Sequence, residues 1–195
     1  GLKYHVTGTG YNPLVYEVGP GKTYATIQTA VNAAAAATSS SPRLVVVYPS
    51  STGIYLENVV VNAKMNLQGV GPGGSYANAT KVLGSVIDGR GVSGDDPYAE
   101  AWRVFTAGLT WSGNQSITEG PVVYVVAQDG NFNNTNPASI DGFIIQGGDQ
   151  QGFPNQVVAT ADPSVKEVTG VQGGGVSLND APNVQLGRAS CRERV

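Results

Sequence analysis

The residues of this chain best suited to chemistry are carboxylates set beside glycines. Asp141 and Asp149 flank one expected strand, so both could reach the same mouth of a groove. There they would form the acid/base pair that glycoside cleavage requires. Gln150 beside them, with Trp102, Trp111 and Phe153, offers amide hydrogen bonds and aromatic faces for a sugar ring. Asp88, Asp95 and Asp96, in Asp88-Gly89-Arg90-Gly91-Val92-Ser93-Gly94-Asp95-Asp96, place oxygen ligands on a glycine-rich loop and make calcium the candidate cofactor. Their spacing is not that of an EF-hand loop. Each group also has a plainer reading. Asp141-Gly142 is a common turn dipeptide, the Asp88 to Asp96 stretch reads equally as a solvated loop, and the aromatic residues can serve as packing for an insertion. The single histidine, His5, lies in the loose N-terminal stretch, which argues against imidazole catalysis.

Positioning these residues requires elements that the pattern supplies. One helical segment is expected over 26–37, where Ile27, Ala30, Val31 and Ala34 fall at i, i+3, i+4 and i+7. Thr26 or Thr23 can cap its start, and Ser39-Ser40-Ser41-Pro42 ends it. Beyond Pro42 come short β-branched runs broken by Gly, Asn, Asp and Pro. Strands are expected over 44–48, 59–61, 65–67, 82–87, 122–126, 140–145, 175–178 and 184–186. Two-residue hairpin signals are missing between them. Instead, aliphatic-Gln-Gly recurs at Leu67-Gln68-Gly69, Ile145-Gln146-Gly147 and Val171-Gln172-Gly173. Aliphatic-Asp-Gly recurs at Ile87-Asp88-Gly89 and Ile140-Asp141-Gly142. Stacked coils would place such pieces above one another, with 89–117 and 128–137 as long insertions.

Composition narrows the function classes. Charged residues make up 13 % of the chain, about half the usual share, and its 27 glycines are about double the usual frequency. This turn-rich, polar β composition suits an extracellular protein. The last nine residues, Gly187-Arg188-Ala189-Ser190-Cys191-Arg192-Glu193-Arg194-Val195, break with it and resemble the translation of a sequencing adapter. They are set apart here as a non-native tail, leaving 1–186 as the N-terminal part of one domain. With them go three of 11 Lys+Arg and one of 14 Asp+Glu, which moves the formal charge from −3 to −5 and removes the only cysteine. A chain so charged is no nucleic-acid binder. No run of eighteen apolar residues is present, so no membrane partner is expected, and the chain reads as a monomer.

The segments Val18-Gly19-Pro20-Gly21-Lys22-Thr23-Tyr24-Ala25-Thr26-Ile27-Gln28, Leu44-Val45-Val46-Val47-Tyr48-Pro49, Gly53-Ile54-Tyr55-Leu56-Glu57-Asn58-Val59-Val60-Val61 and Leu67-Gln68-Gly69-Val70-Gly71, in this order and spacing, resemble the opening of pectin-lyase-like β-helix proteins, including pectinesterases and pectate-lyase-like domains. The stretch 173–186 is similar to the coil text of right-handed β-helix repeat proteins. Residues 108–115 with 147–153 look like text from secreted bacterial relatives of unestablished activity. The resemblance implies an all-β right-handed parallel β-helix, a solenoid with a short N-terminal capping α-helix, truncated at its C-terminal side. It also implies a secreted polysaccharide-directed protein, a lyase or glycoside hydrolase, with a non-catalytic surface or adhesion scaffold as the alternative. No catalytic residue carries over. Gln146-Gly147-Gly148-Asp149 is not the pectinesterase Gln-Asp-Thr-Leu signature, and no single expected coil gathers the acidic cluster and basic residue of a pectate lyase.

Overall fold

The computed structural model of the chain describes residues 11–75, 81–89, 121–126, 138–148, 175–179, 184–187 and 190–192. In chain order the elements are β1 (Leu14–Val18), α1 (Ile27–Ala35), β2 (Arg43–Val47), β3 (Tyr55–Leu56), β4 (Val59–Val61), β5 (Asn66–Gly69), β6 (Gly74–Ser75), β7 (Lys81–Val82), β8 (Ser85–Asp88), β9 (Val123–Val126), β10 (Ser139–Asp141), β11 (Phe143–Gln146), β12 (Val176–Asn179), β13 (Gln185–Leu186) and β14 (Ser190–Arg192). Three sheets are parallel, with strand orders β1-β2-β5-β10-β13, β14-β11-β8-β3 and β12-β9-β4. A fourth, β6-β7, is an antiparallel pair. β14 falls within the nine-residue tail and pairs with β11, Ile144 lying opposite Ser190.

Alternation along the strands builds the core, because successive side chains of a strand point to opposite faces. Val45 and Val47 of β2, Leu67 of β5 and Ile140 of β10 meet Ile87 of β8, Phe143 and Ile145 of β11, and Val59, Val61, Val123 and Val125 of the third sheet in one apolar cluster. Ile27, Ala30, Val31 and Ala34 of α1 join that same cluster, each fully buried. The opposite faces are not left to water. Leu44 and Val46 are 2 % and 1 % exposed, and Val60 and Tyr124 are fully buried, yet none of the four belongs to the central cluster. Parallel strands covered on both sides read as continuous apolar runs, and this accounts for Leu44-Val45-Val46-Val47.

The helix is fastened at both ends. Thr26 caps its N-terminus, its hydroxyl accepting from the Thr29 amide at 3.3 Å. Glu57, between β3 and β4, accepts from the amides of Ile27 at 2.9 Å and Gln28 at 3.0 Å. Gln28 then treats β4 as a neighbouring strand would. Its Nε2 donates to the Val60 carbonyl at 3.0 Å, and its Oε1 accepts from the Val60 amide at 2.8 Å. The outer edge of the third sheet is thereby satisfied by a side chain. At the other end, Arg43 Nη2 donates to the Ala37 carbonyl at 2.7 Å.

These observations correct the expected all-β right-handed parallel β-helix. The described residues form small parallel sheets and one antiparallel pair around one helix, a mixed α/β arrangement. The sequence repeats do not mark equivalent positions of successive coils. Gln68 lies in the first sheet and Gln146 in the second, while Asp88 lies in the second and Asp141 in the first. Nor is the helix only a lid, since its apolar face is part of the core. Glycines also cut two expected strands. Gly142, at φ +77°, turns the chain from β10 in the first sheet to β11 in the second, so the run 140–145 is two strands. At Gly84, between β7 and β8, a Cβ would sit 2.2 Å from the Pro72 carbonyl carbon.

The same crowding makes one stability prediction. A Cβ on Gly69 would come within 2.2 Å of the Gly142 carbonyl oxygen and 2.7 Å of Ser85 Cβ. Gly69→Ala is therefore expected to cost about 1–3 kcal/mol, the usual toll of overpacking. Thermal denaturation checks it, and an unchanged Tm would show that β5 does not approach the Gly142 turn this closely.

Candidate functional site

The outer face of the first sheet carries the most developed polar surface among the described residues. In β5 and β10, Leu67 and Ile140 point to the core, so Asn66, Gln68, Ser139 and Asp141 point away from it. Parallel register sets them side by side, Asn66 opposite Ser139 and Gln68 opposite Asp141. On the other flank of β5, Leu44 lies opposite Asn66 and Val46 opposite Gln68. Two rows result, Leu44-Asn66-Ser139 and Glu17-Val46-Gln68-Asp141, with neighbours spaced by the strand separation of about 4.8 Å.

A shallow groove of about 70 Å³ opens on this face, lined by Tyr11, Leu44, Asn66, Gln68, Ser139 and Asp141, with Gly187 at one end. Asn66 organises it. Its Oδ1 accepts from the Ser139 hydroxyl at 3.0 Å, and its Nδ2 donates to the Tyr11 hydroxyl at 2.9 Å. Gly187 comes close because it has no side chain: a Cβ there would lie 2.7 Å from Asp141 Oδ1. The amides, the hydroxyls and one carboxylate can exchange hydrogen bonds with a polyhydroxylated ligand, and Leu44 adds an apolar side chain to the lining. Among the described residues, Asp141 is the one carboxylate lining the groove. Glycoside cleavage by paired carboxyl groups needs a second at about 5–10 Å.

No protein-family model, curated protein or solved structure matches this chain.

Of the residues singled out in the sequence, Asp141 stands in this groove, half-buried at the end of β10. The turn reading of Asp141-Gly142 holds at the same time, since Gly142 makes the left-handed corner after it. Asp88 belongs to a different sheet. It is 1 % exposed in β8, and Gln146 Nε2 donates to its Oδ2 at 2.7 Å from the adjoining position of β11. A carboxylate so enclosed serves as a hydrogen-bonding anchor between two strands. Asp149, Gln150, Asp95, Asp96, Trp102, Trp111 and Phe153 lie outside the described residues. Among the described residues no three acidic, histidine or cysteine side chains are grouped so as to hold a metal ion, and no helix is long and apolar enough to cross a membrane.

Sequence reasoning missed Tyr11, Asn66, Gln68 and Ser139 as a group. The alternation Asn66-Leu67-Gln68 does signal two outward polar positions on one strand. That they stand beside Ser139, 73 positions away, depends on register.

A second polar cluster marks the β1 end of the same face. Glu17 accepts from the Tyr48 hydroxyl at 2.6 Å and from Lys22 Nζ at 3.1 Å, and that ammonium lies 4.2 Å from the centre of the Tyr48 ring. The hydrogen bond from Tyr48, then that from Lys22, holds the Glu17 carboxyl below its ordinary range. Nearby, Tyr55 donates to the Tyr48 carbonyl at 2.8 Å, and burial, aided by the Glu57 charge, pushes its phenol up to about 12. These groups brace the chain after β2 and leave the groove at the β5–β10 end as the open polar surface.

Proposed function

We propose that this chain is an extracellular polysaccharide-directed protein that holds its ligand across the outer face of the first sheet and does not cleave it there. The observation that carries this reading is the groove in which Asn66, Gln68, Ser139 and Asp141 are set side by side by strand register. Such a row offers a repeating polymer repeated donors and acceptors at fixed spacing, on a sheet too well packed to deform. Binding without cleavage is favoured over the hydrolase reading because, among the described residues, one carboxylate lines the groove where hydrolysis by paired carboxyl groups requires two, and over the lyase reading because no Lys or Arg among them lines it to remove a proton. The turn-rich, weakly charged composition supports an extracellular setting.

The test is binding of the full chain to a panel of pectins, xylans and glucans by affinity electrophoresis, with Asn66→Ala and Gln68→Ala in parallel. Each substitution removes a side chain able to donate and accept, and is expected to weaken binding roughly five- to tenfold. Retention equal to wild type in both variants would move the ligand off this face. Release of reducing ends or unsaturated products from any polymer would instead return the lyase or hydrolase reading.

A further inference from the structure

We propose that Tyr11 is an internal occupant of the groove, a strap that competes with the polysaccharide for Asn66 and Leu44. The inference rests on the binding reading above and adds a self-inhibiting contact to it. Leu44 points away from the central cluster, so on an uncovered sheet it would face solvent, yet it is only 2 % exposed. Tyr11 lines the groove beside it and is itself half-buried. The Tyr11 hydroxyl accepts from Asn66 Nδ2 at 2.9 Å, while the amide oxygen accepts from the Ser139 hydroxyl at 3.0 Å. Of these two bonds, the one to Tyr11 is the one a ligand hydroxyl can replace, because Ser139 is fixed in the adjoining strand.

Tyr11 suits displacement. It precedes β1 by three positions, and the first sheet-like anchor of its segment is the Leu14 amide, which donates to the Pro42 carbonyl at 2.8 Å. Among the described residues, what ties its side chain to the sheet is the hydrogen bond from Asn66. A phenol has a flat apolar ring with a hydroxyl at its end, so it offers Leu44 and Asn66 the same two contacts as a pyranose ring: an apolar face and an oxygen acceptor. Exchanging one for the other leaves no buried polar group unpaired, which is the condition for a reversible strap.

The experiment compares the full-length wild type, Tyr11→Phe and Tyr11→Ala by two readouts. Hydroxyl-radical labelling of Leu44 reports whether the face is covered, and affinity electrophoresis on xylan and polygalacturonate reports binding. Tyr11→Ala is expected to raise Leu44 labelling several-fold and to strengthen retention roughly two- to tenfold, the range set by one neutral hydrogen bond. Tyr11→Phe, which keeps the ring and loses the hydroxyl, should leave labelling near wild type and strengthen retention less. Unchanged Leu44 labelling in Tyr11→Ala overturns the strap whatever the polymers do. Raised labelling with equal or weaker retention makes Tyr11 part of the binding surface, which overturns the inhibitory role and keeps the polysaccharide reading. Retention by none of the three proteins overturns the polysaccharide reading itself, and the competition with it.

Discussion

Replacing Phe143 with alanine is expected to bring the protein close to its unfolding threshold. Phe143 opens β11 directly after the Gly142 corner, is fully buried, and sits in the cluster shared by the three parallel sheets and α1. Truncating a buried phenylalanine costs about 3–5 kcal/mol, because the transfer free energy of the ring is lost and the surrounding side chains close the cavity only in part. The whole stability of a domain of this kind is about 5–15 kcal/mol. Urea denaturation gives the comparison. The Phe143→Ala midpoint should fall by a large fraction of the wild-type value, while Leu186→Ala, at a site 52 % exposed, should stay within about 0.5 kcal/mol of wild type. A loss below about 1 kcal/mol at Phe143 would mean that the strands of the second sheet do not close on a common core.

Local elements were legible in the sequence because their causes are local. The period of Ile27, Ala30, Val31 and Ala34 marks α1, Thr26 marks its start, and the apolar run beginning at Leu44 marks β2. What misled was treating similar text as similar position. Ile87-Asp88-Gly89 and Ile140-Asp141-Gly142 are identical tripeptides, yet one ends a strand of the second sheet and the other a strand of the first. Sheet membership is decided by which register buries both faces, and a tripeptide carries none of that information. Burial on both sides also hid the outer face, since Leu44 and Val46 look like core and are buried, but on the side away from the central cluster.

The candidate site was legible in one residue, Asp141. Its expected partner in acid/base work was Asp149, a neighbour in sequence. Asp149 lies outside the described residues; in the first sheet Asp141 stands opposite Gln68, with Ser139 two residues before it on the same face. The side chains that define the groove come from segments around 11, 66 and 139. Only strand pairing brings these together, and this is why spacing along the chain pointed to aromatic and acidic residues in the long insertions instead.

Glu57 is the residue through which pH should reach the fold. Its carboxylate accepts both the Ile27 and the Gln28 amides, so one side chain between β3 and β4 satisfies two of the donors that a helix leaves unpaired at its N-terminus. Glu57→Ala abandons both, and at about 1–3 kcal/mol for each donor left short of a partner the expected loss is about 2–6 kcal/mol. Two opposing forces act on its charge. Burial pushes the carboxyl above its ordinary range, while the two amides and the positive end of the helix pull it down, and burial is the larger. A folded-state pKa above the unfolded one means that the native state holds the proton more tightly. The Glu57 contribution is then fully present below the unfolded value of about 4.3 and is lost as pH rises through the raised folded value. Glu17, held down by Tyr48 and Lys22, contributes with the opposite sign, losing its stabilisation as pH falls, so the total curve mixes the two. Glu57→Gln separates them. It keeps one acceptor oxygen and cannot ionise, so the stability of wild type minus that of Glu57→Gln should decline as pH climbs out of the carboxylate range and then level off. Urea midpoints across that range would read this difference. A difference that grows with pH would show that the helix amides outweigh burial and hold Glu57 as an anion, with the N-terminus of α1 acting as its counter-charge.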